Sequence, residues 1–95
     1  MARRTRLADE KLVRARMKLM DLEPGGAPER PIDVATAALV EPKARSVICP
    51  RCEEPFGVES HEAHTDTHGR LREVALRCRG CGLERSLWFR IVLPS

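Results

Sequence analysis

Four cysteines are the residues best placed to do chemistry, and they come as two pairs of one spacing. The pairs are Cys49-Pro50-Arg51-Cys52 and Cys78-Arg79-Gly80-Cys81. A two-residue gap lets one tight turn aim both thiolates at a single ion. Two such turns at the ends of adjoining strands supply four sulfurs in a tetrahedron, the arrangement of structural zinc sites. Pro50 fixes φ in the first turn. Gly82, just past the last ligand, lets the chain reverse with its amide pointing back toward sulfur. Arg51 and Arg79 lie within the turns, where positive charge offsets that of a metal tetrathiolate. All four cysteines of the chain are used.

Residues 45–93 resemble a zinc ribbon in the two CxxC knuckles, the hairpin between them and the strand after the second. The resemblance covers about half the chain and none of the N-terminal half. It implies Zn²⁺ held by Cys49, Cys52, Cys78 and Cys81 in a non-catalytic binding module. Zinc ribbons occur in transcription factors, polymerase subunits, ribosomal proteins and small adapters. One departure stands out: ribbons often place Gly after the second cysteine of a knuckle, as Gly82 does here, but Glu53 follows Cys52. Iron in the same cage and a disulfide pair remain open as alternatives. A redox CxxC normally opens a helix after a strand, whereas strand patterns follow both pairs here. Four thiolates leave no coordination position for a reactive water, and no nucleophile–base pair or Gly-rich phosphate loop is visible. An enzyme with a small-molecule substrate is therefore not expected.

His61, His64 and His68 lie with Glu59, Glu62 and Asp66 in one ten-residue stretch. On a strand His61 and His64 point to opposite faces. The stretch reads first as a solvated hairpin tip, with a second divalent-metal site or a pH-responsive surface as alternatives. Arg70, Arg72 and Arg90 with Trp88 form a candidate phosphate-facing patch, an aromatic among cations. Arg3, Arg14 and Lys18 form a second basic candidate on the N-terminal segment.

The elements that must position these residues follow from patterning. Leu7–Leu22 lacks Gly and Pro and reads as an amphipathic helix capped by Thr5. Leu12, Val13, Met17, Leu19 and Met20 share a broad face that Arg16 interrupts. Glu23–Pro31, with two Gly and three Pro, reads as a semi-rigid linker. Ile32–Val40 fits either a short helix or an extended edge. Lys43–Ile48 looks extended. Phe56–Thr65, Leu71–Cys78 and Leu83–Leu93 alternate as strands, with a turn at Asp66-Thr67-His68-Gly69. Val74, Leu76 and Cys78 share one face; Leu83, Leu87, Phe89, Ile91 and Leu93 share another, which Arg85 breaks. The expected fold is a small α+β metal-stabilised domain: a three-stranded antiparallel ribbon (32–95) behind an N-terminal helix and linker (1–31).

The whole chain has 95 residues, three aromatics and 33% charged residues. A chain of this size with so thin a core needs a staple. No apolar run reaches the roughly 18 residues of a membrane span. The basic start leads into charges and not an apolar stretch, so a secretory signal is not expected. With no sign of export, the cysteines are expected in a reducing cytoplasm, where paired thiols mean metal more often than disulfide. Arg outnumbers Lys 14 to 3, a bias that a GC-rich bacterial genome produces by itself. The formal charge of +3 belongs to residues 1–30, and the ribbon is neutral. Two functions fit: a zinc-ribbon module contacting nucleic acid or the transcription or translation machinery, and an adapter presenting its N-terminal helix to a protein partner.

Overall fold

The computed structural model describes residues 10–66 and 69–92. In chain order it contains α1 (Glu10–Leu22), β1 (Ile32–Val34), a 3₁₀ turn (Ala37–Leu39), α2 (Val40–Arg45), β2 (Phe56–Asp66), β3 (Gly69–Cys78) and β4 (Glu84–Ile91). The strands make one sheet in the order β1-β4-β3-β2. β2 pairs antiparallel with β3, and β3 with β4. β1 joins the far edge parallel to β4, with Ile32 opposite Phe89 and Val34 opposite Ile91. The sheet is therefore four-stranded and mixed, where a three-stranded antiparallel ribbon was expected.

The ambiguous stretch 32–40 resolves into both options in turn, strand first and 3₁₀ turn after. The extended reading of Lys43–Ile48 is corrected: residues through Arg45 are helical. Pro42 is the third residue of α2, where an amide has no intrahelical acceptor, so proline is tolerated. Glu41 near the start and Arg45 at the end suit the helix dipole and pair with each other at 3.2 Å. Val40 and Ala44, one turn apart, are fully buried against the sheet. Only residues 47 and 48 run extended, and Ile48 bridges to Pro55 to close the loop that holds the first CxxC pair.

The core lies between α2 and one face of the sheet. Val34, Val40, Ala44, Phe56, Val74, Leu76, Leu87 and Phe89 pack there with Cys49, Cys52 and Cys78. The alternation of Val74, Leu76 and Cys78, and of Leu87 and Phe89, places them on this face. Arg85 does break the set. Its side chain is only 8% exposed and reaches Asp21 of α1 at 2.9 Å, while its Nε is buried without a partner.

The linker 23–31 is anchored to the sheet at Gly25, while residues 23, 24, 29 and 30 are exposed. Gly25 is buried with φ +93°, and the Trp88 amide donates to its carbonyl at 2.8 Å. A Cβ at Gly25 would fall 2.8 Å from Ile32 and 2.9 Å from Leu87, so a larger residue does not fit. α1 buries less of its apolar face than the periodicity suggests. Val13 is buried, Met17 and Met20 are half-buried, and Leu12, Leu19 and Leu22 are exposed. The expected Thr5 cap and helix start at Leu7 lie outside the described residues.

Candidate metal centre

The two CxxC turns share one hydrogen-bond plan. In the first, the Cys49 amide donates to the Glu54 carbonyl (2.9 Å), the Glu53 amide to the Cys49 carbonyl (2.9 Å) and the Arg51 amide to Cys49 Sγ (3.4 Å). In the second, the Cys78 amide donates to Leu83 (2.8 Å), the Gly82 amide to the Cys78 carbonyl (2.9 Å) and the Gly80 amide to Cys78 Sγ (3.3 Å). Every sequence offset is the same in both turns. The reversal requires positive φ at the residue after the second cysteine, and Gly82 supplies it at +80°. Glu53 adopts the same region, at +64°. The departure at Glu53 therefore leaves the first turn's wiring intact.

These turns bring all four sulfurs within 4.8 Å of one another. Across the two turns, Cys52 Sγ lies 3.1 Å from Cys78 Sγ and Cys49 Sγ lies 3.7 Å from Cys81 Sγ. Sulfurs bound at about 2.3 Å around a tetrahedral ion stand roughly 3.8 Å apart, so the cage fits a single metal ion. Cys49, Cys52 and Cys78 are buried, and Cys81 lies toward solvent. Gly80 lies close to the cage: a Cβ there would sit 3.1 Å from Cys52 Sγ, a tight contact.

Burial pushes the Cys49 thiol up, and pushes that of Cys52 up to about 12. Burial also raises Cys78, but the amides of Cys81 and Gly80 and the neighbouring Cys52 thiol outweigh it and bring Cys78 down to about 7. Cys78 thus becomes a thiolate before Cys49 and Cys52, and a metal must displace tightly held protons from those two.

α1 docks beside the first turn. Arg16 Nη1 donates to the Pro50 carbonyl at 2.9 Å and lies 3.7 Å from Glu53. Arg51, placed by sequence reasoning to offset sulfur charge, instead donates to Glu10 of α1 at 2.8 Å. Patterning did not single out Arg16 or Asp21 as contact residues. The signal was present: Arg16 and Arg85 both interrupt an apolar face, and both make long-range polar contacts.

The patch expected from Arg70, Arg72, Trp88 and Arg90 is not one surface. Arg72 stands opposite Phe89, whereas Trp88 stands opposite Glu73 on the other face. Arg72 contacts His61 Nε2 at 3.2 Å, and Arg90 pairs with Asp33 at 3.1 Å. Arg70, Arg14 and Lys18 are exposed; Arg3 lies outside the described residues. His61 and His64 point to opposite faces, as expected. His61 Nδ1 is 2.9 Å from Glu41 of α2, while His64 gathers with Glu62 and Glu73. No helix among the described residues is long and apolar enough to cross a membrane. Comparison with protein-family models, curated proteins and solved structures finds no match to this chain.

Proposed function

We propose that this chain is a non-catalytic, zinc-stapled adapter, a zinc-ribbon-like pair of knuckles that holds α1 in place for a protein partner. One contrast carries the reading: arginines of the sheet and of the first turn are largely paired with carboxylates of this chain, while Leu12, Leu19 and Leu22 of α1 stay exposed. Arg51, Arg77, Arg85 and Arg90 each pair with a carboxylate. Leu12, Leu19 and Leu22 are 46%, 61% and 68% exposed. Leu19 and Met20 line a shallow groove with Ile48 and Pro50 of the first turn. An apolar helix face next to a rigid turn suits partner recognition by packing. Zn²⁺ is the ion proposed, because a closed cage of four thiolates with two amide-to-sulfur bonds suits a structural site that performs no reaction.

The test compares the wild type with a Leu12→Ser/Leu19→Ser variant of equal metal content and circular dichroism. Nuclease-treated pull-down should recover a discrete protein partner with the wild type and lose it with the variant. In parallel, labelled single-stranded and duplex nucleic acids are titrated at several salt concentrations. Salt-dependent nucleic-acid binding that an Arg14→Gln/Lys18→Gln variant removes, with no effect of the leucine changes on capture, would reject the adapter reading in favour of phosphate contact.

A further inference from the structure

The sheet face opposite α2 carries a second cluster of metal donors that the four-cysteine cage does not use. Glu62 of β2 stands directly across from Glu73 of β3, and Glu73 across from Trp88 of β4. His64 is two residues beyond Glu62 and so shares its face. Its Nε2 lies 3.1 Å from Glu73 Oε1 and 3.9 Å from Glu62 Oε1. The three donor atoms are within 4.8 Å of one another. Nitrogen and oxygen donors held at about 2.0–2.2 Å around one ion stand roughly 3.0–3.6 Å apart.

Two features outside the donor set orient it. The Ser86 hydroxyl donates to Glu73 Oε2 at 3.1 Å. It anchors the outer carboxylate oxygen and leaves Oε1 facing the imidazole, the usual outer-shell support of a ligating group. The His64 ring lies against Trp88, centroids 5.6 Å apart, which limits its rotation. Facing carboxylates on adjacent strands repel each other, and a divalent cation between them removes that repulsion. We propose that Glu62, His64 and Glu73 form a second, solvent-open site for a first-row divalent transition ion. One imidazole with two carboxylates selects ions of the Zn²⁺, Co²⁺ and Ni²⁺ type over Mg²⁺. With three ligands instead of four thiolates, it binds more weakly than the cysteine cage and fills after it.

Trp88 is the only tryptophan in the chain and reports on this site directly. Protein carrying one equivalent of zinc is titrated with Co²⁺ while its fluorescence and visible absorption are followed. A second equivalent should quench Trp88 without the thiolate-to-cobalt charge-transfer bands that exchange into the cage would produce. His64→Ala and Glu73→Gln should each weaken this quenching by at least about tenfold, and Mg²⁺ should not cause it. Each variant's retained zinc equivalent and circular dichroism report its fold. If His64→Ala misfolds, Glu73→Gln and Glu62→Gln carry the comparison. Absent quenching, quenching that the folded variants leave unchanged, or cobalt absorption with sulfur bands alone would overturn the second site.

Discussion

Glu53 occupies a backbone region that L-residues other than glycine enter at a cost of about 1–2 kcal/mol. It is held there because its amide must reach the Cys49 carbonyl, as the Gly82 amide reaches Cys78 in the other turn. Its ion pair with Arg16 is 3.7 Å long between side chains 36% and 72% exposed, and such a pair contributes little. The strain therefore outweighs the pair. Glu53→Gly should stabilise the metal-loaded protein by about 1 kcal/mol, read from the urea midpoint, and Gly82→Ala should destabilise it by at least about as much. An unchanged midpoint for Glu53→Gly would mean that the Arg16 pair offsets the strain. A second residue-scale test concerns Glu41. Its hydrogen bond to His61, followed by the charge of that ring and of Arg45, holds its carboxyl below the ordinary value of 4.5. A depressed acid contributes stability above its ordinary value and loses it as pH falls through the depressed one. The α2–β2 contact should thus persist from neutral pH down to the ordinary carboxylate range and loosen below it. Amide shifts of α2 followed by NMR should show this acid step in the wild type and not in Glu41→Gln.

At the scale of elements, β1 belongs to the same packed unit as the cysteine cage, and α1 is joined to that unit through the polar contacts of Glu10, Arg16 and Asp21. Val34 and Val40 sit in the core with Cys49 and Phe89. The Val92 amide donates to Val34 at 2.9 Å, and the Trp88 amide to Gly25. A fragment starting at Lys43 would remove β1, half of α2 and the cover over the β4 edge. It should fail to give a dispersed NMR spectrum even with zinc, whereas the full chain should give one; a folded fragment would show that the metal-bearing hairpin suffices alone. Patterning made β2, β3 and β4 legible because each runs for eight residues or more, and β3 and β4 alternate buried and less buried residues at their centres. β1 offers only three residues, too few for a period, and its parallel partner is more than fifty residues away. α2 was hidden by Pro42, which reads as a stop when it follows a helix and as a start when it sits in the first turn. The cage itself was fully legible, since its spacing is local. The docking of α1 was not, because it depends on single arginines whose partners only the fold reveals.

For the whole molecule, the metal cage is where three separately patterned pieces meet. The β3–β4 hairpin supplies Cys78 and Cys81, the loop after α2 supplies Cys49 and Cys52, and α1 leans on that loop through Arg16 and Glu10. Three aromatics in 95 residues leave a core that cannot easily hold these pieces without a cross-link. A structural zinc ion contributes on the order of 10 kcal/mol of apparent folding free energy, which exceeds any single contact described above. We expect about one tightly held zinc per chain, and loss of both strand and α1 signal in circular dichroism on chelation. Cys52→Ser and Cys78→Ser should fail alike, since each leaves three thiolates and breaks the same cross-link. The pH dependence follows from the sulfurs. A Cys52 thiol near 12 and a raised Cys49 must each surrender a proton to the metal, while Cys78 near 7 is about half ionised at neutral pH. Metal affinity should therefore rise with pH and drop steeply below about 7, as protons compete for Cys49, Cys52 and Cys78. Competition titrations against a chromophoric chelator between pH 6 and pH 8 would measure the slope. A pH-independent affinity, or metal-free protein with an unchanged spectrum, would mean that the sheet holds its four strands by packing alone.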